Sequence, residues 1–324
     1  MSSPSLLDEA AQWERLVCRR NVLSPLRYPG GKRRLVPYVA AALAANGLKP
    51  KLLVEPFAGG ASVSLELAAI GAVEQIGIAD ADPLVAAFWQ TVFEDCDWLC
   101  RQVENIDVDL PTWRRMKETR WRGRRQRALA CLFLNRTSFN GTLHPRAGPI
   151  GGHSGSSAYP LDCRFPRKRL IKRMRDCEQL ASEGKVAFAR QGSAFEVIGA
   201  SRLEYDRDGL FFYFDPPFWA KSQTLYRRTF AELDHRNFAH VLRWVNEPWL
   251  LSYDVAAEIT ALYEPLEEVQ VRTVELLYMG SQRTAGEELV VTNLKRLPGR
   301  SRLWRTAAEW TVAKAGGCPG MQLT

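Results

Sequence analysis

The sequence lacks any long apolar run. No uninterrupted stretch approaches the roughly 20 apolar residues of a membrane-spanning helix, so no membrane association is expected. No early apolar segment follows a basic one, which argues against a signal peptide and predicts a cytoplasmic protein. The seven cysteines are odd in number and scattered, unlike the framework of a secreted disulfide scaffold. Cys96 and Cys100 stand four apart, but neither a second pair nor a histidine cluster completes a zinc site, so reduced thiols and no metal are expected. Two phosphate-binding signatures are also missing. Without G-x-x-x-x-G-K-[ST] there is no Walker loop, and the absence of G-x-G-x-x-G fits a ligand that has no pyrophosphate. No internal repeat is visible.

What is present is an ordinary globular composition. The 324 residues are 46% apolar and 25% charged, enough for one large domain or two smaller ones with a real core. The net charge of +8 is unevenly placed. Residues 101–185 carry 19 Lys and Arg against 8 Asp and Glu, a local excess of +11, which leaves −3 for the rest. A basic segment inside a mildly acidic protein suits a polyanion-binding module. A solvated helix face such as "WRRMKETRWRGRRQR" explains the same composition.

Residues 1–20 read as a polar, partly helical extension, and the Gly- and Pro-containing tail after about residue 298 as poorly ordered. Between them, "LLVEPF" (52–57), "EQIGIAD" (74–80), "KVAFAR" (185–190), "LFFYFD" (210–215) and "PWLLSYD" (248–254) read as strands. "VSLELAAIG" and "PLVAAFWQTVF" have helical periodicity, and Pro83 suits a first helical turn. "EEVQVRTVELLY" and "ELVVTNL" fit a closing hairpin. Strands alternating with helices predict an α/β fold with a mostly parallel, doubly wound sheet. About 100 residues separate the second strand from the third, far more than one crossover helix needs. The excess coincides with the basic segment, as an inserted, mostly helical domain would.

Three stretches carry chemistry. In "EPFAGGAS" (55–62) the glycines allow close backbone approach to a ligand at a strand's carboxyl end. Asp80, about 20 residues on, ends the next strand where an acid accepts bonds from ribose hydroxyls. Together they suggest a nucleoside-containing cofactor. "SPLRYPGGKRRLVPYV" (24–39) places Lys32 after a Pro-Gly-Gly turn, where a lysine suits a small carboxylate. "FFYFDPPF" (211–218) ends a buried strand in Asp215 and a rigid turn. The Asp215 carboxylate and the Pro216 carbonyl can each accept a hydrogen bond from an amino group, Pro217 fixes the turn, and Phe218 can stack on a planar ring. That set suits the exocyclic amine of a nucleobase, although an Asp capping a turn is also compatible.

In their order, "RYPGGK", "EPFAGGASV", "IAD", "FLNRTSFNG" (133–141), "YFDPPF", "LDHRNFAHVL" and "LLSYD" resemble the Dam-like adenine-N6 DNA methyltransferases across roughly residues 24–295. The resemblance is weak over 95–130 and 142–180. It implies a Rossmann-like methyltransferase sheet formed by residues 1–94 and 181–324, with a DNA target-recognition domain inserted at 95–180. It also implies S-adenosyl-L-methionine as cofactor, contacted by Tyr28, Lys32, Glu55, Phe57, Ala58, Gly59, Asp80 and Asp215. Lys32 is then expected at the cofactor's carboxylate and Asp80 at its ribose. The implied substrate is double-stranded DNA with an adenine flipped into the site formed by Asp215, Pro216, Pro217 and Phe218. DNA contacts are expected from Arg122, Arg124, Arg125, Asn135, Arg136, Phe139, Asn140, His144 and Arg146, with Phe139 out of the core. A cognate restriction nuclease is a partner to consider; the oligomeric state is open. Two features depart from the family pattern. Phe218 stands where Tyr is usual, and "GTLHPR" offers His144 and Arg146 where the family often has an earlier Arg. Cytosine-N4 or RNA methylation on the same scaffold, and non-catalytic DNA binding, are the competing functions; Asp rather than Ser at position 215 favours adenine.

Overall fold

The computed structural model describes residues 22–28, 30–154, 159–219, 227, 230–279, 283–299 and 301–303. Seven strands form one mixed sheet: β1 (Leu52–Glu55), β2 (Gln75–Asp80), β3 (Val186–Gln191), β4 (Leu210–Phe214), β5 (Trp249–Asp254), β6 (Gln270–Met279) and β7 (Arg283–Thr292). Their spatial order is β3-β2-β1-β4-β5-β7-β6. The first five run parallel, and β7 is antiparallel to both β5 and β6. The expected closing hairpin is therefore β6–β7, with its second strand inserted beside β5.

β4 is buried at all five positions, as a central parallel strand covered on both faces should be. Its alternation splits the core into two layers. Phe211 and Tyr213 join Leu53, Ile76 and Ile78 on one face, while Phe212 and Phe214 join Val54 and Leu251 on the other. Helices cover both faces, so the sheet is doubly wound. The second face is closed by α8 (Ala194–Glu204), α9 (Glu232–Leu242) and α10 (Ala257–Tyr263), which supply Val197, Phe238 and Ile259.

The first face carries α1 (Val36–Ala45), α2 (Ser62–Ile70) and α3 (Pro83–Glu94). The start of α3 is fixed by Asp82, whose side chain accepts the Leu84 amide at 2.9 Å, and by Pro83 in the first turn. The long connection from β2 to β3 continues as α4 (Cys96–Asn105), α5 (Leu110–Glu118), α6 (Arg124–Thr137) and α7 (Arg167–Ser182). Leu99, Trp113, Leu132, Phe133 and Leu170 from these helices are buried in the same apolar cluster as the sheet face. The basic segment is thus amphipathic: its arginines lie over a core it shares with the sheet. Cys96 and Cys100 are buried free thiols, with sulfurs 3.6 Å apart.

The N-terminal extension and residues 304–324 of the tail lie outside the described residues. Residues 301–303 add a bridge to β6, with the Glu275 amide 2.7 Å from the Ser301 carbonyl. Among the described residues no helix is long and apolar enough to cross a membrane.

Candidate active site

The strand order reverses between β1 and β4, and the crevice at the carboxyl ends there is where doubly wound sheets bind ligands. β1 delivers Glu55 to that edge, β2 Asp80 and β4 Asp215. An open cleft lies at this edge. Tyr28, Lys32, Glu55, Phe57, Ala58, Gly59 and Asp215 all line it, together with the start of α2. Of the residues expected at a cofactor, the structure sets only Asp80 back from this lining.

The wall formed by "EPFAGGAS" is held from several sides. Gly59 has φ +45°, and a Cβ there would come within 2.8 Å of the Tyr28 ring, so the ring's position depends on the missing side chain. The Gly59 amide donates to Asp80 Oδ2 at 2.9 Å, and its carbonyl accepts from Trp89 Nε1 at 2.9 Å. The other Asp80 oxygen accepts the Asp82 amide at 2.8 Å. Asp80 therefore shapes the cleft wall. Each carboxylate oxygen still has a second lone pair for a ligand hydroxyl. Burial, followed by the nearby Asp82 charge, pushes its carboxyl up to about 7. Glu55 is buried and accepts from the Ser64 amide and hydroxyl, yet burial pushes it up to about 8. No side chain caps α2, and its first residues, Ser62 and Val63, line the cleft. The helix start thus brings a positive dipole end to the same space that holds the carboxylates.

Lys32 is the centre of the second wall. Its side chain is buried, and Nζ lies 3.1 Å from Asp215 Oδ1 and 3.4 Å from Glu288 Oε1. It also donates to the Gly30 carbonyl at 3.0 Å and sits 4.8 Å from the Phe218 ring centroid. Gly30, at φ +77°, lies against that ring; a Cβ would meet Phe218 Cζ at 2.3 Å. Gly30 is therefore a platform for Phe218. Asp215 Oδ1 further accepts from Ser252 Oγ at 3.0 Å, and Ser252 bonds the Tyr213 hydroxyl at 2.8 Å. Burial raises the Asp215 carboxyl, while Lys32 and Ser252 pull it back down. Glu288 is raised by burial against the same lysine. Next in the chain, the Trp219 amide donates to Asp254 Oδ1 at 3.0 Å, which fixes the turn through Pro216 and Pro217 to the end of β5.

A sequence model of the D12 class of N6 adenine-specific DNA methyltransferases matches residues 28–278, about three quarters of the chain. The chain belongs to this family. None of the curated proteins matches it. Among solved structures it is similar to an rRNA methyltransferase from Streptomyces viridochromogenes, with 14% identity and a TM-score of 0.36 over 82% of this chain and 87% of that one. A protein from Pyrococcus horikoshii, provisionally assigned as an RNA methyltransferase, has 9% identity and a TM-score of 0.39 over 88% of this chain and 97% of its own.

The residues that the resemblance assigns to DNA fall into four groups. Phe139 and Asn140 are exposed, Phe139 by 64%, and Asn140 is held at φ +56° just beyond the end of α6. Asn135 and Arg136 are buried instead. Asn135 accepts the Arg27 amide at 2.7 Å and donates to the carbonyls of Arg27 and Gly141 at 3.0 and 2.7 Å, while Arg136 donates to the Pro25 carbonyl. Both therefore tie α6 to the segment leading into Tyr28. Arg122, Arg124 and Arg125 are exposed, and Arg124 and Arg125 pair with Glu94 and Asp95. His144 is half-buried, its ring Nδ1 accepting the Arg146 amide at 3.1 Å, and Arg146 is exposed.

Sequence reading missed Glu288 and Ser252 as parts of this site. Both lie on strands whose apolar pattern advertises core. The usable signal was a polar residue at a buried register position: Ser252 is fully buried, and Glu288 faces Asp254 across the β5–β7 ladder.

Proposed function

We propose that the protein is an S-adenosyl-L-methionine-dependent DNA methyltransferase acting on the exocyclic N6 amine of a flipped adenine. The supporting observation is the placement of Asp215. It sits at the carboxyl end of β4, at the edge of the sheet's switch-point cleft, with one oxygen already oriented by Lys32 and Ser252.

The cleft's chemistry fits such a cofactor. Asp215, and Glu55 and Asp80 once ionised, give it negative character toward a sulfonium, and the uncapped start of α2 suits a carboxylate. Tyr28, Phe57, Ala58 and Gly59 supply the apolar and close-approach surface. S-adenosylmethionine, when bound, supplies an electrophilic methyl group. The chain's own part is positioning and electrostatics. The Asp215 carboxylate accepts one N6–H of adenine and the Pro216 carbonyl the other, which orients the amine's lone pair away from the ring plane. Phe218, seated on Gly30, stacks on the base. A positive charge developing on the amine is stabilised by Asp215, and that carboxylate is the nearest acceptor for the proton released. Phe139 and Asn140, exposed just beyond α6, would fill the gap left in the duplex.

The test is single-turnover transfer of labelled methyl to duplex DNA, followed by nucleoside analysis. N6-methyladenine is the expected product. N4-methylcytosine or a preference for RNA would transfer the function to one of the competing substrates, and no transfer at all would refute it.

A further inference from the structure

Five arginines gather where the basic segment meets Ser24–Tyr28. Arg136 of α6 is at the bottom, only 4% exposed. Its guanidinium has no acid partner; Nε donates to the Pro25 carbonyl at 2.8 Å and Nη2 donates to the same oxygen. Arg173 of α7 donates to the Ser24 carbonyl at 3.2 Å and is half-buried, as is Arg27. Arg164 and Arg169 are exposed. Among the described residues none of the five forms an ion pair with a carboxylate.

This arrangement works against folding. Burial and then Arg173, Arg27, Arg169 and Arg164 in turn hold the Arg136 guanidinium down to about 9. Arg27 is lowered by burial and Arg164, and Arg173 by burial, Arg169 and Arg33. A buried charge normally comes with a partner of opposite sign. Here the fold supplies backbone carbonyls and more cations.

We propose that this recess is a phosphodiester-binding site that grips the backbone of the duplex substrate, with Arg164 and Arg169 as its outer contacts and the half-buried Arg27 and Arg173 as its inner ones, over the buried Arg136. The proposal rests on the DNA reading above. Guanidinium forks match phosphate oxygens, and an external polyanion would bring the counter-charge that the described residues do not supply. The location is apt. Ser24–Tyr28 runs directly from the recess to the cleft, since its carbonyls are the ones held by Arg136 and Arg173 and its last ring lines the cleft wall. A phosphate seated there would fix the duplex relative to Tyr28. Asn135, which clamps the Arg27 backbone on both its amide and its carbonyl, keeps that distance constant.

The experiment measures binding of the full-length protein to a short duplex at several salt concentrations, with Arg164→Ala/Arg169→Ala as the probe. Both side chains are exposed, so folding should be preserved. Removing two phosphate contacts should lower the slope of log K against log salt by about 2 and weaken binding about tenfold to a hundredfold near 0.1 M salt. In a second readout, the same duplex should raise the melting temperature of the wild type more than that of the variant. A wild-type slope in the double variant would overturn the recess, whether or not the wild type methylates DNA. Wild-type binding with the expected slope change but no methyl transfer would leave the recess standing and remove the enzymatic reading. A wild type that binds no duplex would refute both.

Discussion

Two buried cations, Lys32 and Arg136, keep opposite company. Lys32 stands among carboxylates, within 3.1 Å of Asp215 and 3.4 Å of Glu288. Arg136 stands among arginines and leans on a carbonyl. The first arrangement is close to self-sufficient, because the lysine's desolvation is offset by two acids, with acid left over for a cationic ligand. The second has no carboxylate partner among the described residues, and it is the one proposed to meet a polyanion. The difference sets an acid-lined cleft apart from a cluster of cations, within a single chain.

The largest expected effect comes from removing the acid that the first site turns toward its substrate. Asp215→Ala should lower single-turnover methyl transfer by at least about a hundredfold, the scale for deleting one preorganised polar partner. Folding and duplex binding should be retained. Substantial turnover in this variant would remove Asp215 from the reaction and reduce it to a turn cap.

The two cations can also be compared directly by urea denaturation. Lys32→Met leaves Asp215 and Glu288 facing each other without a counter-charge and should cost about 3–5 kcal/mol, the range for breaking a buried pair. Arg136→Met orphans only the Pro25 carbonyl, a loss of about 1–3 kcal/mol, and relieves repulsion from its neighbours. The arginine variant should therefore be clearly the more stable of the two. Equal losses would mean that the recess is as well compensated as the cleft.

The amino-acid sequence showed one of these sites far better than the other, for a physical reason. "FFYFDPPF" and "EPFAGGAS" are local: a buried strand must end somewhere, and an acid and glycines at that end are visible in a single line of residues. Likewise the seven strands follow from period-two and continuous apolar runs. Long-range pairing is not local. Lys32 was expected at a cofactor carboxylate; its ion pairs with Asp215 and Glu288, residues contributed by distant strands, were not foreseen. The arginines make the same point. Density along the chain drew attention to 122–127, yet the partners Glu94 and Asp95 lie in another helix and its flank, and no composition count pairs them. Arg27, Arg136 and Arg164 are scattered in sequence and form a group only in the folded chain.

Phe218 gives a smaller effect that sharpens the cleft side. Phe218→Tyr should keep activity, because the stacking face is unchanged. Phe218→Ala should cost about 1–3 kcal/mol in duplex binding or transfer, the worth of one base–aromatic stack. Equal activity in both variants would show that the ring serves only to cover Gly30 and Lys32.

A pH titration reads the cleft's acids. The Glu55 carboxyl is raised from its ordinary value of 4.5 to about 8, and that of Asp80 to about 7. Between pH 4.5 and 8 the folded protein therefore holds protons that the unfolded chain has lost, so these groups make folding stability fall as pH rises through that window. A cationic ligand favours the ionised carboxylates, so its affinity moves the other way. Calorimetric binding of S-adenosylmethionine should tighten from pH 6 to pH 8, by up to about tenfold per pH unit for each proton released. Glu55→Gln should flatten the dependence. A pH-independent affinity in the wild type would mean that these carboxylates do not sense the ligand's charge.

The smallest effect is expected where arginines already have partners. Arg124 and Arg125 are exposed and paired with Glu94 and Asp95, so each would have to give up an acid before taking a phosphate. Arg124→Ala/Arg125→Ala should leave the salt slope of duplex binding within about 0.5 of the wild type, whereas each true phosphate contact is worth about 1. The complementary variant, Glu94→Gln/Asp95→Asn, frees the same two guanidiniums without moving them. If the α6 start lies near the duplex, that variant should bind more tightly at low salt and with a steeper slope; if it lies away, nothing should change. A slope that falls by about 2 in the arginine variant would erase the distinction between the two clusters, because compensated and uncompensated arginines would then contact DNA alike.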